Sequence, residues 1–145
     1  MKILIGADHA GFKLKEELKE YIKQLGYNVQ DYGTNSEEAV DYPLIASKVA
    51  KDAAKNKARG ILICGSGIGM SITANKIKGI RAAVCHNEFT AEVARTHNDS
   101  NILCLGSRDI EKDMAKKIVK IWLKTKFIGE ERHQRRIDEI SKIEC

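Results

Sequence analysis

A glycine-rich segment that starts with a cysteine offers the clearest chemistry in this sequence. Residues 64–69 read CGSGIG and lie between a run of apolar residues and a stretch with helical spacing. Three glycines in five positions allow the backbone to come close to a ligand, and the amides there would attract an anion or a developing oxyanion. A tight strand–helix turn without a ligand would use the same residues, so the pattern leaves both interpretations open.

Cys64 stands at the mouth of this segment. Backbone amides and a helix start favour the thiolate form of a nearby cysteine, which could then act as a nucleophile or as a general base. Phosphatases with a Cys-x5-Arg motif would need an arginine where this chain has Met70. Phosphocysteine carriers usually place their cysteine on the first strand, whereas Cys64 ends the third strand-like run. The segment also lacks the G-x-G-x-x-G fingerprint of dinucleotide-binding proteins and the Gly-Lys-Ser/Thr of a P-loop.

Two further sets of polar residues could bind a small anionic ligand. Asp8 and His9 follow the first apolar run, where they could bind a hydroxyl group and an anion, although Asp8 could equally cap the next helix. Arg132 and Arg136 are four residues apart and so share one helix face, which suits the clamping of a phosphate. A solvated helix face paired with neighbouring acidic residues is the alternative for the two arginines.

Strands and helices must alternate along the chain to position these residues. Apolar runs predict strands at Lys2–Ala7, Tyr27–Tyr32, Gly60–Cys64, Ile80–Cys85 and Asn101–Leu105. Helical spacing predicts helices at Phe12–Leu25, 43–57, 68–76, Glu88–Thr96, Asp109–Lys126 and Glu130–Ile143. This alternation predicts an α/β fold, a three-layer, doubly wound, five-stranded parallel sheet of Rossmann-like or flavodoxin-like type with an extra C-terminal helix. We expect residues 1–145 to form a single domain.

The predicted sheet separates the candidate residues into two groups. Ligands bind beyond the carboxyl ends of strands in such folds, which selects the loops at 8–11, 65–70, 86–87 and 106–109. His97 and Asn98 precede the fifth strand and would therefore lie at the opposite edge. If this pair is catalytic, it would serve the active site of another subunit; an exposed histidine beside a helix-ending asparagine is the alternative.

Composition narrows the classes of protein that fit. Of 145 residues, 43% are hydrophobic and 31% charged, as in ordinary globular proteins. We find no apolar run long enough to span a membrane and no signal-peptide pattern, so we expect a cytoplasmic protein without membrane contacts. Nucleic acid is not expected as a partner, because residues 126–145 balance five basic against five acidic side chains and aromatics are only 6%. The absence of a CxxC pair argues against a zinc or dithiol site, and Cys85 and Cys104 are expected to be buried apolar residues.

Six segments together resemble one enzyme family. They are GADHAGF at 6–12, DYP at 41–43, ILICGSGIG at 61–69, ANKIKGIRAAVC at 74–85, RTHNDSNILCLGSR at 95–108 and GEERHQRRI at 129–137. The set is similar to the pattern of ribose-5-phosphate isomerase B and spans essentially the whole chain in order. Galactose-6-phosphate and allose-6-phosphate isomerases belong to the same family.

The resemblance implies catalytic roles for several matching residues. Cys64 would be the base that moves a proton between C1 and C2, because the glutamate that other members carry after the glycine loop is Met70 here. Ser66 would orient the reacting oxygens, and the amides of Gly67–Gly69 would hold the enediolate. His97 would help to open the furanose ring, with Asp8 nearby. The implied substrate-binding set is Asp8, His9, Gly65, Ser66, Gly67, Ile68, Gly69, Asn98, Arg108, Arg132 and Arg136.

The resemblance also implies an activity. The chain would interconvert D-ribose 5-phosphate and D-ribulose 5-phosphate, a step of the pentose phosphate pathway, with no metal or organic cofactor. It would form homodimers or tetramers with active sites shared between subunits, and His9, Arg108, Arg132 and Arg136 would bind the phosphate. The alternatives are an isomerase of a six-carbon sugar phosphate, a cysteine-based phosphoryl carrier and a non-catalytic phosphosugar-binding module.

Overall fold

A sheet of five parallel strands forms the centre of the structure, a computed structural model that describes residues 1–144. The strands are β1 (Lys2–Ala7), β2 (Asn28–Asp31), β3 (Arg59–Cys64), β4 (Ala82–Val84) and β5 (Ile102–Gly106). Their order across the sheet is β2-β1-β3-β5-β4. The fourth strand is thus an edge strand, unlike in the 2-1-3-4-5 order of flavodoxin-like sheets. The predicted α/β fold with a parallel sheet is confirmed.

Helices cover both faces of this sheet. They are α1 (Phe12–Gln24), α2 (Tyr42–Asn56), α3 (Ile68–Ala74), α4 (Glu88–Thr96), α5 (Lys112–Lys124) and α6 (Glu131–Ile143). Apolar side chains of α1, α4 and α5 pack on one face of β1, β3 and β5, and those of α2 and α3 pack on the other. Side chains point alternately to the two faces along each strand, so β1 and β3 contribute to both cores. Within residues 1–144, none of the helices has the length and apolarity needed to cross a membrane.

The pairing of β1 with β3 brings two predicted site segments together. Ala7 lies opposite Ile63, and Cys64 lies opposite Gly106 on β5, so all three strands end at one level. The chain leaves β1 toward β2 on one side, whereas β3 lies on the other. Ligands of doubly wound sheets bind at such a point, because the loops of neighbouring strands diverge there.

Candidate active site

A cleft of about 710 Å³ opens at the carboxyl edge of the sheet. Seven of its lining residues belong to the predicted set, and they are Asp8, Cys64, Gly65, Ser66, Ile68, Gly69 and Arg108. A larger groove of about 850 Å³ lies beside it, between α1 and the start of α5, and shares Arg108. That groove is lined by neither cysteine nor histidine. The smaller cleft is therefore the one that holds the predicted cysteine and the glycine-rich segment.

Cys64 lies at the floor of the cleft as the last residue of β3, with 5% of its surface exposed. Its Sγ accepts a hydrogen bond of 3.1 Å from the amide of Gly67. Gly67 has φ of +79°, a left-handed conformation that turns this amide back toward the sulfur. An N–H that donates to sulfur stabilises negative charge on it. The local fold thus provides a thiol that is sheltered, reachable from the cleft and hydrogen-bonded to a backbone amide.

The glycine loop is pressed against the loop after β5. A Cβ atom at Gly106 would lie 2.7 Å from the backbone of Ser66, so any side chain there would push the two loops apart. Backbone hydrogen bonds tie the loops together, from the amide of Ser107 to the carbonyl of Cys64 and from the amide of Arg108 to the carbonyl of Gly65. Arg108 is thereby fixed beside the glycine loop at the wall of the cleft.

Two of the three loop amides predicted to hold an oxyanion already have acceptors. The amide of Gly67 donates to Cys64 Sγ, and the amide of Ile68 donates to Ser66 Oγ at 3.2 Å. Gly69 lies in the first turn of α3, where the helix itself offers its amide no acceptor. Gly69 is therefore the loop residue best placed to donate to a substrate oxygen.

Asp8 and His9 differ in their contacts. Asp8 is 6% exposed, and its Oδ1 accepts from the amides of Ala10 and Gly11 at 3.0 and 3.1 Å. These contacts shape the turn into α1, and the side chain also reaches the cleft. His9 Nδ1 accepts from the amide of Val40 at 3.2 Å, which leaves Nε2 to carry the proton of a neutral ring. His9 thus lies just outside the cleft lining, on the loop that follows β1.

Sequence analysis assigned no role to four residues that line the cleft, which are Tyr42, Ile72, His86 and Asp109. His86 Nδ1 lies 2.5 Å from Asp109 Oδ2, a pair formed by the loops after β4 and β5. Both loops follow the carboxyl ends of strands, where ligands are expected to bind. The residue types alone did not distinguish His86 and Asp109 from ordinary surface residues. Tyr42 lies over the glycine loop, and its ring leaves no room for a side chain at Gly69. Tyr42 belongs to the DYP segment, which was a signal for it.

The remaining predicted residues lie at the opposite edge of the sheet. His97 and Asn98 are exposed and directly precede the turn into β5. The ring of His97 stacks on that of His133 from α6, with centroids 4.3 Å apart and planes 15° apart. Arg132 and Arg136 flank His133 on the same helix and are exposed. Within one chain, the predicted residues therefore form two separate groups, one around Cys64 (the cysteine half) and one around His97, Arg132 and Arg136 (the histidine–arginine half).

The pKa of His133 in this stack is lowered. Burial is the largest cause, and the nearby His97, Arg132 and Arg136 lower it further, whereas Glu130 opposes them. A lowered pKa favours the neutral form of His133, which can stack on His97 without a charge of its own.

The other cysteines are chemically distinct from Cys64. Cys85 and Cys104 are buried free thiols, as predicted, and neither lines the cleft. Burial raises the pKa of Cys85 to about 11. Burial also raises the pKa of Cys104 well above its ordinary value. Cys145 lies outside the described residues. Among residues 1–144, no group of three or more His, Cys, Asp or Glu side chains is arranged to hold a metal ion.

Comparison with known proteins gives a consistent result. The model of the Ribose/Galactose Isomerase family matches residues 3–140. Ribose-5-phosphate isomerase B of Escherichia coli is 47% identical over 144 residues, which cover 99% of this chain and 96% of that protein. The structure of ribose-5-phosphate isomerase B from Clostridium thermocellum has a TM-score of 0.96 and 50% identity, covering 99% and 97% of the two chains. The Mycoplasma genitalium enzyme with bound ribulose-5-phosphate has a TM-score of 0.93 and 44% identity, covering 97% and 94%.

Proposed function

This chain belongs to the ribose/galactose isomerase family, and we propose that it interconverts D-ribose 5-phosphate and D-ribulose 5-phosphate with Cys64 as the base. It is an isomerase enzyme, since relatives of that name match it over nearly their whole length. One observation carries the assignment of the base. The buried Cys64 thiol at the end of β3 faces the cleft, and its Sγ accepts a hydrogen bond from the amide of Gly67. The substrate follows from the relatives, one of which holds ribulose-5-phosphate.

The proton transfer runs through an enediolate. The Cys64 thiolate takes the proton from C2 of the open-chain aldose, and the C–H electron pair forms the C1=C2 double bond while charge moves to O1. A proton then passes from O2 to O1, and the thiol returns its proton to C1, which gives the ketose. The amide of Gly69 donates to the developing oxyanion, and Ser66, whose Oγ accepts from Ile68, keeps its own hydroxyl proton for a substrate oxygen.

Binding of the phosphate and opening of the ring need residues from both edges of the sheet. His9 and Arg108 lie beside the cysteine half, whereas Arg132 and Arg136 lie beside His97. We therefore propose that a second copy of the chain supplies His97, Asn98 and these two arginines in a homodimer, which could pair further into a tetramer. Phosphate binding remote from C1 and C2 would hold the reacting carbons at Cys64.

We also propose that residues 1–145 act as one isomerase domain, in the cytoplasm. The family model covers residues 3–140, so no large segment remains for a second domain within this sequence. The cytoplasmic location rests on the metabolic substrate and on free thiols of the kind that a reducing compartment maintains.

Turnover of three substrates tests the proposal. We would measure ribose 5-phosphate, allose 6-phosphate and galactose 6-phosphate with excess EDTA present. Fast formation of ribulose 5-phosphate with weak six-carbon turnover is expected. Preference for a six-carbon substrate would keep the mechanism and change the substrate. Absence of turnover with all three would overturn the enzyme proposal, and covalent labelling of Cys64 by a phosphodonor would then identify a phosphoryl carrier rather than a binding module.

A further inference from the structure

In the loop between α4 and β5, the side chains of His97 and Asn98 are exposed to solvent. Arg81 contacts the backbone of this loop through hydrogen bonds. The Arg81 Nε donates to the carbonyl of Asn98 at 2.9 Å, and Nη2 donates to the carbonyl of Asp99 at 2.9 Å. A guanidinium with donors in a rigid fork fixes both carbonyls at once. The contacts go to the backbone of the loop, so the side chains of His97 and Asn98 are left for a ligand.

Asp99 locks this loop in an unusual conformation. Its φ is +44°, the left-handed region that a non-glycine residue enters only when its surroundings hold it there. One carboxylate oxygen lies 2.9 Å from Nη1 of Arg95 and the other 3.4 Å from Nη2 of Arg81. Two arginines thus hold one aspartate from two sides, and the backbone before and after it cannot rotate freely.

The loop is also anchored to the hydrophobic core. Arg95 is 4% exposed and donates to the carbonyl of Ser100, while Trp122 Nε1 donates to Ser100 Oγ at 2.8 Å. The guanidinium carbon of Arg95 lies 5.9 Å from the centre of the Trp122 ring. These contacts all fall on the five-residue connection between α4 and β5, residues 97–101. The backbone is thus held directly next to the exposed side chains of His97 and Asn98.

We infer that Arg81 is a positioning residue that holds His97 and Asn98 in the orientation needed for ring opening. The inference rests on the proposed function, because it needs His97 to act on the sugar. A displacement of about 1 Å in a catalytic group can lower the rate about 100-fold. Arg81 holds the backbone of the loop that carries His97 through its hydrogen bonds to the carbonyls of Asn98 and Asp99. Arg81 itself does not touch the substrate.

Two assays on one variant separate positioning from general damage. The first measures turnover of ribose 5-phosphate, which must open from its furanose form. The second measures exchange of the C1 hydrogen of ribulose 5-phosphate with deuterium from D2O. Ribulose 5-phosphate is acyclic, because its C5 oxygen carries the phosphate, so this exchange needs only the Cys64 step. A defect in ring opening therefore lowers turnover and spares exchange, whereas unfolding lowers both equally.

Arg81→Gln should lower kcat for ribose 5-phosphate at least about 10-fold while the exchange rate changes less than about threefold. His97→Asn should show the same imbalance, and Cys64→Ser should lose both activities. Arg81→Lys should recover only part of the turnover, because an ammonium group cannot span both carbonyls. Lys23→Gln is the control: Lys23 is a cation that pairs with Glu20 on the exposed face of α1, away from the loop. Its turnover and exchange should both stay at the wild-type level.

The results separate failure of the inference from failure of the proposed function. Wild-type kinetics in Arg81→Gln, or equal loss in both assays while His97→Asn stays imbalanced, would overturn the positioning role and leave the isomerase proposal standing. A wild-type chain that does not turn over ribose 5-phosphate would overturn the proposed function. If Arg81→Gln does not fold by circular dichroism, Asp99→Asn keeps the shape of the side chain and removes the charge that both arginines hold. The same imbalance is expected there, and its absence would overturn the inference.

Discussion

At the scale of single residues, the chemistry depends on which thiol can lose its proton within reach of a substrate. Cys64 should be that thiol, and Cys64→Ser should lower kcat at least about 30-fold, which corresponds to roughly 2 kcal/mol of lost transition-state stabilisation. Steady-state kinetics on ribose 5-phosphate measure the change, and KM should move little because the phosphate contacts remain. Cys85→Ala is the control, since that buried thiol lies outside the cleft. Near wild-type turnover in Cys64→Ser would remove Cys64 as the base.

The same difference among thiols predicts selective alkylation. At pH 8, iodoacetamide should modify Cys64 before Cys85 or Cys104, because burial raises the pKa of Cys85 to about 11 and that of Cys104 well above its ordinary value. Peptide mass spectrometry at timed intervals measures each site separately. Ribulose 5-phosphate should slow the reaction at Cys64 alone. Equal rates at the three sites, or no protection by the substrate, would contradict the assignment.

At the scale of elements, a buried ion pair fixes α1 and the end of β2 beneath the site. The Lys15 side chain is fully buried, and its Nζ lies 2.5 Å from Asp31 Oδ2. Asp31 Oδ1 also accepts from the amide of Gly33, and Gly33 and Thr34 pair with the backbone of Ala7, next to Asp8. Hydrogen bonds from Asp31 to Gly33, and from Gly33 and Thr34 to Ala7, thus connect this ion pair to the loop after β1.

Asp31→Asn should lower the free energy of unfolding by about 2 kcal/mol, because it removes the closer of the two carboxylates that pair with the buried Lys15 ammonium and leaves only Glu16, at 3.6 Å. Partial burial of Asp31 opposes ionisation, but hydrogen bonds from Lys15, Lys19 and Gly33 outweigh it, and the pKa of Asp31 is lowered. The stabilisation is therefore complete above the unfolded-state pKa, near pH 4, and is lost as the pH falls through the lower folded-state pKa.

Urea unfolding of both proteins from pH 7 to pH 3 measures this effect. The wild type should lose its advantage over Asp31→Asn only at the acid end of the series. Glu20→Gln is the control, since Glu20 and Lys23 form an exposed pair whose loss should cost less than about 0.5 kcal/mol. A constant difference between wild type and Asp31→Asn down to pH 3 would show that the charge of Asp31 does not matter.

Element boundaries show what the sequence could predict. Periodicity located every strand and helix, but β4 covers Ala82–Val84 rather than the predicted Ile80–Cys85. The amide of Ile80 forms a turn to Ile77, and the side chain of Asn75 bonds both the amide and the carbonyl of Ala82 at the free edge of the sheet. Hydropathy could not reveal these contacts, because they depend on which strand lies at the edge. The strand order, with β4 at the edge next to β5, is likewise set by tertiary packing and could not be predicted from hydropathy.

Glycine spacing and strand ends predicted which residues come together at the cleft, but they could not predict pairs formed between loops. Five of the cleft-lining residues come from the one glycine-rich segment, residues 64–69. The His86–Asp109 pair was missed because its members are 23 positions apart in sequence and meet only when β4 and β5 pair. No pattern in a single segment encodes such a contact. The contacts of Arg81 with Asp99 were not predicted for the same reason.

At the scale of the whole molecule, the predicted site residues lie at opposite edges of one sheet, so under the proposed function a complete site takes two copies of the chain. Cys64→Ser and His97→Asn should each be inactive alone, and their mixture should regain activity. In a mixed dimer, one site combines the intact Cys64 of one copy with the intact His97 of the other, while the second site carries both defects. Purification on two different tags selects the mixed dimers, in which one of the two sites is intact, so turnover per dimer should approach about half of the wild-type value. Co-refolding of differently tagged variants, purification on both tags and kinetics on ribose 5-phosphate measure the recovered turnover.

Mixing Cys64→Ser with Cys64→Ala is the control and should recover no activity. Activity no greater than the sum of the two parents would mean that each chain completes its own site and that the partner contributes no catalytic residue.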